Sequence, residues 1–356
     1  MFRIALLLLL NAVAGAATEE PQRPSPAAPA RPSAVVWYAH EPSAIARYDA
    51  SATVAARMVE GLVESVTGER EIGAAWRRLV GPKDRIGIKV SAVGGRHFST
   101  RVEVVEALLA TLESAGMPRS SVLVWDRDSA DLRAAGFDAR RLGCKVRGIN
   151  PPGGWDRAAP FAAPTLGKLI WGDLLFSEKA RKRLGKTPPE RDQLSSTSHL
   201  ATIITRELDK IINVPVLSDS ATIGVSGAIY NITVPNVDNW RRFVSAETNA
   251  AESLPELCAD ERLASKVVLH LMDGLTAQYA GGPEGNGNYA FPHATLYASR
   301  DPVALDATAL RKIEGWRREG KLPPIGRRAS WLEAAAKAGL GAFDEAAIDL
   351  RRVTSR

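Results

Sequence analysis

Four stretches of this chain place polar side chains at or just beyond apolar runs, and together they carry the groups needed to hold a small charged ligand. In "RIGIKVSAVGGRHFST" Lys89 lies inside the apolar run, where an ammonium is costly unless it is paired or faces a site. Gly94 and Gly95 follow, ahead of a helix start at Thr100; glycines there expose backbone N–H groups, which with the helix dipole favour an anion. "SVLVWDRDSADL" ends at Asp126 and Asp128, carboxylates suited to a hydroxyl or a cation, with Asp128 the better helix cap. "IINVPVLSDSATIGVSGAIYN" begins as a buried strand and turns polar, presenting Asp219 between two serines, then Ser226 and Asn231. "VVLHLMDGL" ends at Asp273, followed by the glycine-rich "AGGPEGNGNYAFPH". In this reading Lys89 and the amides near Gly94 and Gly95 hold negative charge. Asp126 and Asp219 take hydroxyls or a divalent cation such as Mg²⁺ or Ca²⁺, and Asn231 orients the ligand. Plainer roles compete: Lys89 can snorkel from a strand end, and the glycines can form an ordinary turn. No two of the five histidines stand at i, i+4, so a histidine metal site would need distant segments.

Such groups meet only if the elements carrying them are aligned. Short β-branched runs at 34, 85, 121, 210, 266 and 294 alternate with helical periodicity at 52–66, 100–115, 199–208 and 303–318. The alternation predicts an α/β fold, a mostly parallel, doubly wound, Rossmann-like sheet with helices on both faces. In that architecture ligands bind beyond the carboxyl ends of the strands, where these polar groups fall. Thr100 and Glu103 read as a capping box, and Asp301 with Pro302 as an N-cap with proline in the first turn. Residues 150–198, rich in Pro, Gly and basic side chains, read as an insertion able to act as a lid.

The chain has 356 residues, 45% of them hydrophobic, which suits a globular protein with one large α/β domain over 34–356. Residues 1–16 have the plan of a cleaved secretory signal peptide, with Arg3, an apolar run and Ala14-Gly15-Ala16; its apolar part is too short to span a bilayer. Residues 17–33 read as a Pro/Ala-rich tether. Export to the periplasm or beyond follows as an expectation, with no stable membrane anchor after cleavage. In that oxidising setting Cys144 and Cys258 either bridge or remain two buried thiols. The net charge of +6 comes from dispersed arginine pairs rather than a basic stripe, which argues against a nucleic-acid partner.

Taken in order, "RIGIKVSAVGG", "STRVEVVEALLATLESAGM" with "VLVWDRD", "IINVPVLSDSATIGVSGAIYN", "LHLMDGLTAQYAGGP" and "SRDPVALDATAL" resemble the uncharacterised domain of unknown function 362 family over most of 84–312. The resemblance implies an α/β fold and a shared polar centre without an agreed reaction. The family's strand is typically followed by Lys, Asp and His, then Gly-Val-Thr and a Lys-Asn pair. Here Ser218, Asp219, Ser220, Gly224, Ser226, Tyr230 and Asn231 stand in those places, while Lys89 and Asp126 match. Some relatives carry ferredoxin-like cysteine clusters; this chain has no such cluster, so no iron–sulfur cofactor is carried over.

Replacing two lysines and a histidine by neutral groups removes point charges and the side chain best suited to proton transfer near neutrality. The leading reading is therefore an exported protein that binds a small polar or anionic ligand in a crevice formed by Lys89, Asp126, Asp219, Ser226, Asn231 and Asp273, without turnover. One alternative is a hydrolase or transferase using Asp126 and Asp219 with a divalent metal. Another is an envelope structural or interaction protein, with apolar surface around Trp155, Trp171 and Phe176.

Overall fold

The computed structural model describes residues 33–149, 154–161, 198–244 and 250–353. In chain order its main elements are β1 (Ala34–His40), α1 (Ala52–Thr67), β2 (Ile86–Val90), α2 (Val102–Ser114), β3 (Val122–Asp126) and β4 (Lys145–Gly148). They continue with β5 (Lys210–Val214), β6 (Val216–Ser220), β7 (Gly224–Ser226), α3 (Ala228–Thr233), α4 (Ala250–Ala259) and β8 (Val267–Gln278). The last are β9 (Ala290–Ser299), α5 (Pro302–Glu319), α6 (Trp331–Lys337) and β10 (Ile348–Arg352).

These ten strands form one sheet in the order β10-β1-β9-β8-β5-β2-β3-β4, with β6 paired to β8 and β7 to β6. Pairing is parallel except where β9 meets β1 and β8 and where β7 meets β6, so the expected mostly parallel α/β sheet is present. From β2 the chain builds outward through β3 and β4, then returns to lay β5 on β2's other edge. The order of winding therefore reverses between β2 and β5, the place where open α/β sheets leave a crevice.

Strand alternation sends successive side chains to opposite faces, and helices cover both. Ile86, Ile88, Val90, Ile212, Val214, Leu269 and Leu271 pack with Val59, Leu62, Leu108 and Leu112 of α1 and α2. On the other face Leu217, Met272 and Tyr297 pack with α3, α5 and α6 through Ile229, Leu305 and Leu332. Trp125 and Ile211 form a further cluster with Ile203, Ile204 and Ile232. All described residues fall within one compact unit, Pro32–Arg356.

Several local expectations change. The periodic stretch 199–208 begins as a strand, Ser198–Ala201 paired antiparallel with Trp155–Phe161, and only then turns into a short π-helix, Ile203–Glu207. Thr100 does not cap α2: Arg101 is the cap residue, and the Thr100 hydroxyl instead accepts from the Ser91 amide (2.9 Å) and donates to the Val214 carbonyl (2.7 Å). Asp301 and Asp128 do cap, accepting from the amides of Ala304 and Ala130. Asp219, placed beyond a strand by the sequence, and Asp273, placed at the end of one, lie within β6 and β8, because both strands run on past their apolar runs. The lid reading over 162–197, the signal peptide of 1–16 and the tether up to residue 32 lie outside the described residues.

Candidate functional site

Register builds the polar centre. Lys89 of β2 pairs with Asn213 of β5, which pairs with His270 of β8, so three polar side chains lie side by side across three apolar strands. They share the face covered by α3, and Asn231 of that helix comes down onto them. Lys89 is 0% exposed, and its Nζ donates to Asp126 Oδ1 (2.7 Å), the Val90 carbonyl (2.7 Å) and Asn231 Oδ1 (3.0 Å). All three ammonium hydrogens are thereby used. Burial pulls the Lys89 pKa down, and the Asp126 carboxylate opposes it.

Asp126, 7% exposed, is also engaged on both oxygens: Oδ1 accepts from the Arg127 amide and Oδ2 from the Ala92 amide, each at 2.7 Å. Asn231 donates to Asn213 Oδ1 (2.8 Å), and Asn213 Nδ2 donates to the Ala228 carbonyl (2.8 Å) and lies 2.9 Å from His270 Nδ1. His270 Nδ1 must then accept, which assigns its proton to Nε2. Burial drives the His270 pKa down to about 3, so the ring is neutral near pH 7. Lys89, Asp126 and Asn231 thus meet as the sequence reading requires, but in the interior rather than on an open wall. Each group is already partnered, so the arrangement fixes geometry better than it moves protons.

The roof is held by a residue the sequence reading missed. Asp306 of α5, fully buried, accepts from the amides of Ala228 (2.5 Å) and Ile229 (2.9 Å) at the first turn of α3. A Cβ on Gly227 would lie 2.0 Å from its Oδ1, so glycine is what lets the carboxylate approach. Burial outweighs the two amides and pushes the Asp306 pKa up to about 7. Asn213 and His270 were equally missed as site residues, although a polar residue inside an apolar strand run, as with Lys89, was the signal that marked them.

The other expected residues join separate networks. Asp273 Oδ2 accepts from the Arg101 amide (2.7 Å) and Oδ1 from the Leu275 amide (2.9 Å). Burial raises its pKa. The Arg101 side chain donates to the Arg96 carbonyl (2.9 Å) and to Thr276 Oγ1 (2.6 Å), yet its Nε is buried without an acceptor, as is Ser99 Oγ. Both lie in the segment that links β2 to α2. Asp219 Oδ1 accepts from the Gly282 amide (2.9 Å), and burial raises its pKa. Ser226 stands opposite Ser218 in the β6–β7 hairpin. Gly95 has a φ of +65° and turns its amide onto the Ala92 carbonyl (3.3 Å), so that N–H is part of a turn. Asp126 and Asp219 have no hydrogen-bond partner in common. Among the described residues no cluster of three or more His, Cys, Asp or Glu comes together as a metal site. Likewise, no helix there is long and apolar enough to cross a membrane.

Cys144 and Cys258 are both buried and free, and they pack in clusters on opposite faces of the sheet. Of the aromatics expected to form an apolar surface, Trp155 is half-buried with the Arg127 guanidinium 5.0 Å from its ring centre. Trp171 and Phe176 lie outside the described residues.

Residues 181–311 match the family model described as Domain of unknown function (DUF362), which supports membership of that family. The match takes in β5 to β9 and the first half of α5, hence Asn213, Asp219, Asn231, His270, Asp273 and Asp306; Lys89 and Asp126 precede it. No curated protein matches the chain. A Thermotoga maritima protein of known crystal structure is similar at 11% identity and a TM-score of 0.37, over 74% of this chain. The similarity spans 59% of that protein's length.

Proposed function

We propose that this chain, with its DUF362 match at 181–311, is an exported binding protein that takes a small polar or anionic ligand at the reversal between β2 and β5 and does not turn it over. The observation that carries the reading is the pair of buried donors without acceptors, Ser99 Oγ and Arg101 Nε, in the segment leaving β2 at that reversal. A buried donor left unpaired costs about 1–3 kcal/mol, so a ligand bringing carboxylate or phosphate oxygens gains what the free protein forgoes. Both atoms are enclosed, so entry requires the Ser91–Thr100 segment to open. The absence of turnover follows from the centre beneath it. Lys89 and Asp126 are committed to each other, His270 is neutral and sealed, and Asp306, although its pKa is raised to about 7, is fully buried and engaged by the Ala228 and Ile229 amides.

Thermal unfolding of the full chain with inorganic phosphate or succinate tests this. A ligand at 100 times its Kd should stabilise the fold by about 2.7 kcal/mol. Ser99→Ala removes a hydroxyl that has no partner, so it should leave the free protein as stable as before, or slightly more stable, while abolishing most of the ligand shift. No shift with either anion, or an equal shift in the variant, overturns the reading.

A further inference from the structure

β10 is an outer strand of the sheet: β1 pairs with one side of it, and among the described residues no strand lies on the other. In a paired strand alternate residues turn both backbone polar groups to the same side. The Ala347 carbonyl accepts from the Ser33 amide (2.9 Å) and the Val353 amide donates to the Tyr38 carbonyl (2.8 Å), so the odd-numbered residues bond inward to β1. The N–H and C=O groups of Ile348, Leu350 and Arg352 therefore point outward. Leu350, at the middle of this open edge, is 45% exposed, more than any other large hydrophobic side chain among the described residues. Asp349 and Arg351 flank it and pair along the strand (2.6 Å), both in contact with water.

We propose that this chain pairs with a second copy of itself through β10, edge to edge and antiparallel, about a two-fold axis at Leu350. Charges on an edge strand usually discourage a further strand, but here their order favours one register. With the axis at Leu350, Asp349 of each copy stands opposite Arg351 of the other, and the two Leu350 side chains meet. Moving the axis by one residue either way sets Asp349 against Asp349 or Arg351 against Arg351, and like charges directly opposite are destabilising. The same register matches the backbone. The outward groups bond Leu350 to Leu350 and Ile348 to Arg352, which leaves Asp349 and Arg351 in the non-hydrogen-bonded pairs, where facing side chains come closest. An exposed ion pair within one strand is worth little, whereas two of them laid antiparallel close a ring of four alternating charges.

Sedimentation of the full chain over a concentration series is the test. The wild type should show a dimer that dissociates on dilution, as a short interface implies. Leu350→Pro removes an outward N–H that β1 does not use, at an edge position where proline is tolerated. It should therefore keep the unfolding temperature of the dilute monomer while weakening association about ten-fold or more, since two central hydrogen bonds are lost. Asp349→Arg sets arginine opposite arginine and should abolish the dimer, and adding Arg351→Asp should restore it with the charges exchanged. This exchange is decisive even where proline disturbs the strand. A wild type that stays monomeric throughout, a dimer of folded Leu350→Pro as tight as the wild type's, or a double variant no more associated than Asp349→Arg alone overturns the proposal.

Discussion

An ammonium taken from water into a protein interior loses several kcal/mol of hydration, and Lys89 offsets that only through the three oxygens around its Nζ. Lys89→Met would leave Asp126 and Asn231 with unmet acceptors under α3, and we expect it to cost about 3–5 kcal/mol in denaturant unfolding. Adding Asp126→Asn to Lys89→Met should cost clearly less than the sum of the two single changes, because the second removes the charge that the first strands. Strict additivity would mean that the pair is not coupled. At this scale the sequence was informative: a lysine in "RIGIKV" and an aspartate closing "SVLVWD" announced themselves by sitting where solvation is poor. Their partner Asn231 was legible only as a polar residue past a strand, since nothing local says that its amide reaches Lys89.

α3 has six residues and no cap of its own from Gly227, so its first turn depends on the Asp306 carboxylate of α5. That dependence has a pH signature. With its pKa raised from 3.8 to about 7, Asp306 keeps a proton in the folded chain that the unfolded chain has released. Its contribution is thus whole below pH 3.8 and is lost as pH rises through 7. His270 runs the other way. Depressed from 6.5 to about 3, it contributes above pH 6.5, and that contribution is lost as pH falls toward 3. The two slopes oppose each other between about pH 4 and 6.5. Asp306→Asn should weaken the cap by about 1 kcal/mol and remove the first slope alone, so its unfolding midpoint should rise with pH across that window more steeply than the wild type's. Equal slopes in the two proteins would show that Asp306 is ionised throughout. The capping box expected of Thr100 and Glu103 failed for a related reason: a cap is chosen by what else its side chain can reach, and Thr100 reaches β5.

Across the molecule the sheet keeps two cores apart, and the cysteines report it. Cys144 and Cys258 lie on opposite faces, with burial pushing their thiols up to about 11 and about 12. We expect both to resist a thiol reagent such as DTNB in the folded protein and to react together on unfolding, with no change in unfolding temperature on adding reductant. A reductant-dependent midpoint would require a bridge that this packing forbids. The same division explains how an ion pair and a chain of amides can lie inside so apolar a body. Lys89, Asn213 and His270 occupy one register row on one face, joined there by Asp126 and by Asn231 of the α3 roof, while the opposite face at that level is aliphatic.

Periodicity and composition alone determined the alternation of strands and helices, the mostly parallel sheet and the positions of Lys89 and Asp126, because each of these follows from local burial along the chain. Tertiary structure decided which strands became neighbours, that Asn213 and His270 extend the row begun by Lys89, that Asp306 holds α3 from 77 and 78 residues away in sequence, and that Asp219 and Asp273 serve other networks. Adjacency in a sheet depends on the order in which crossovers lay the strands down, and no local periodicity carries that order.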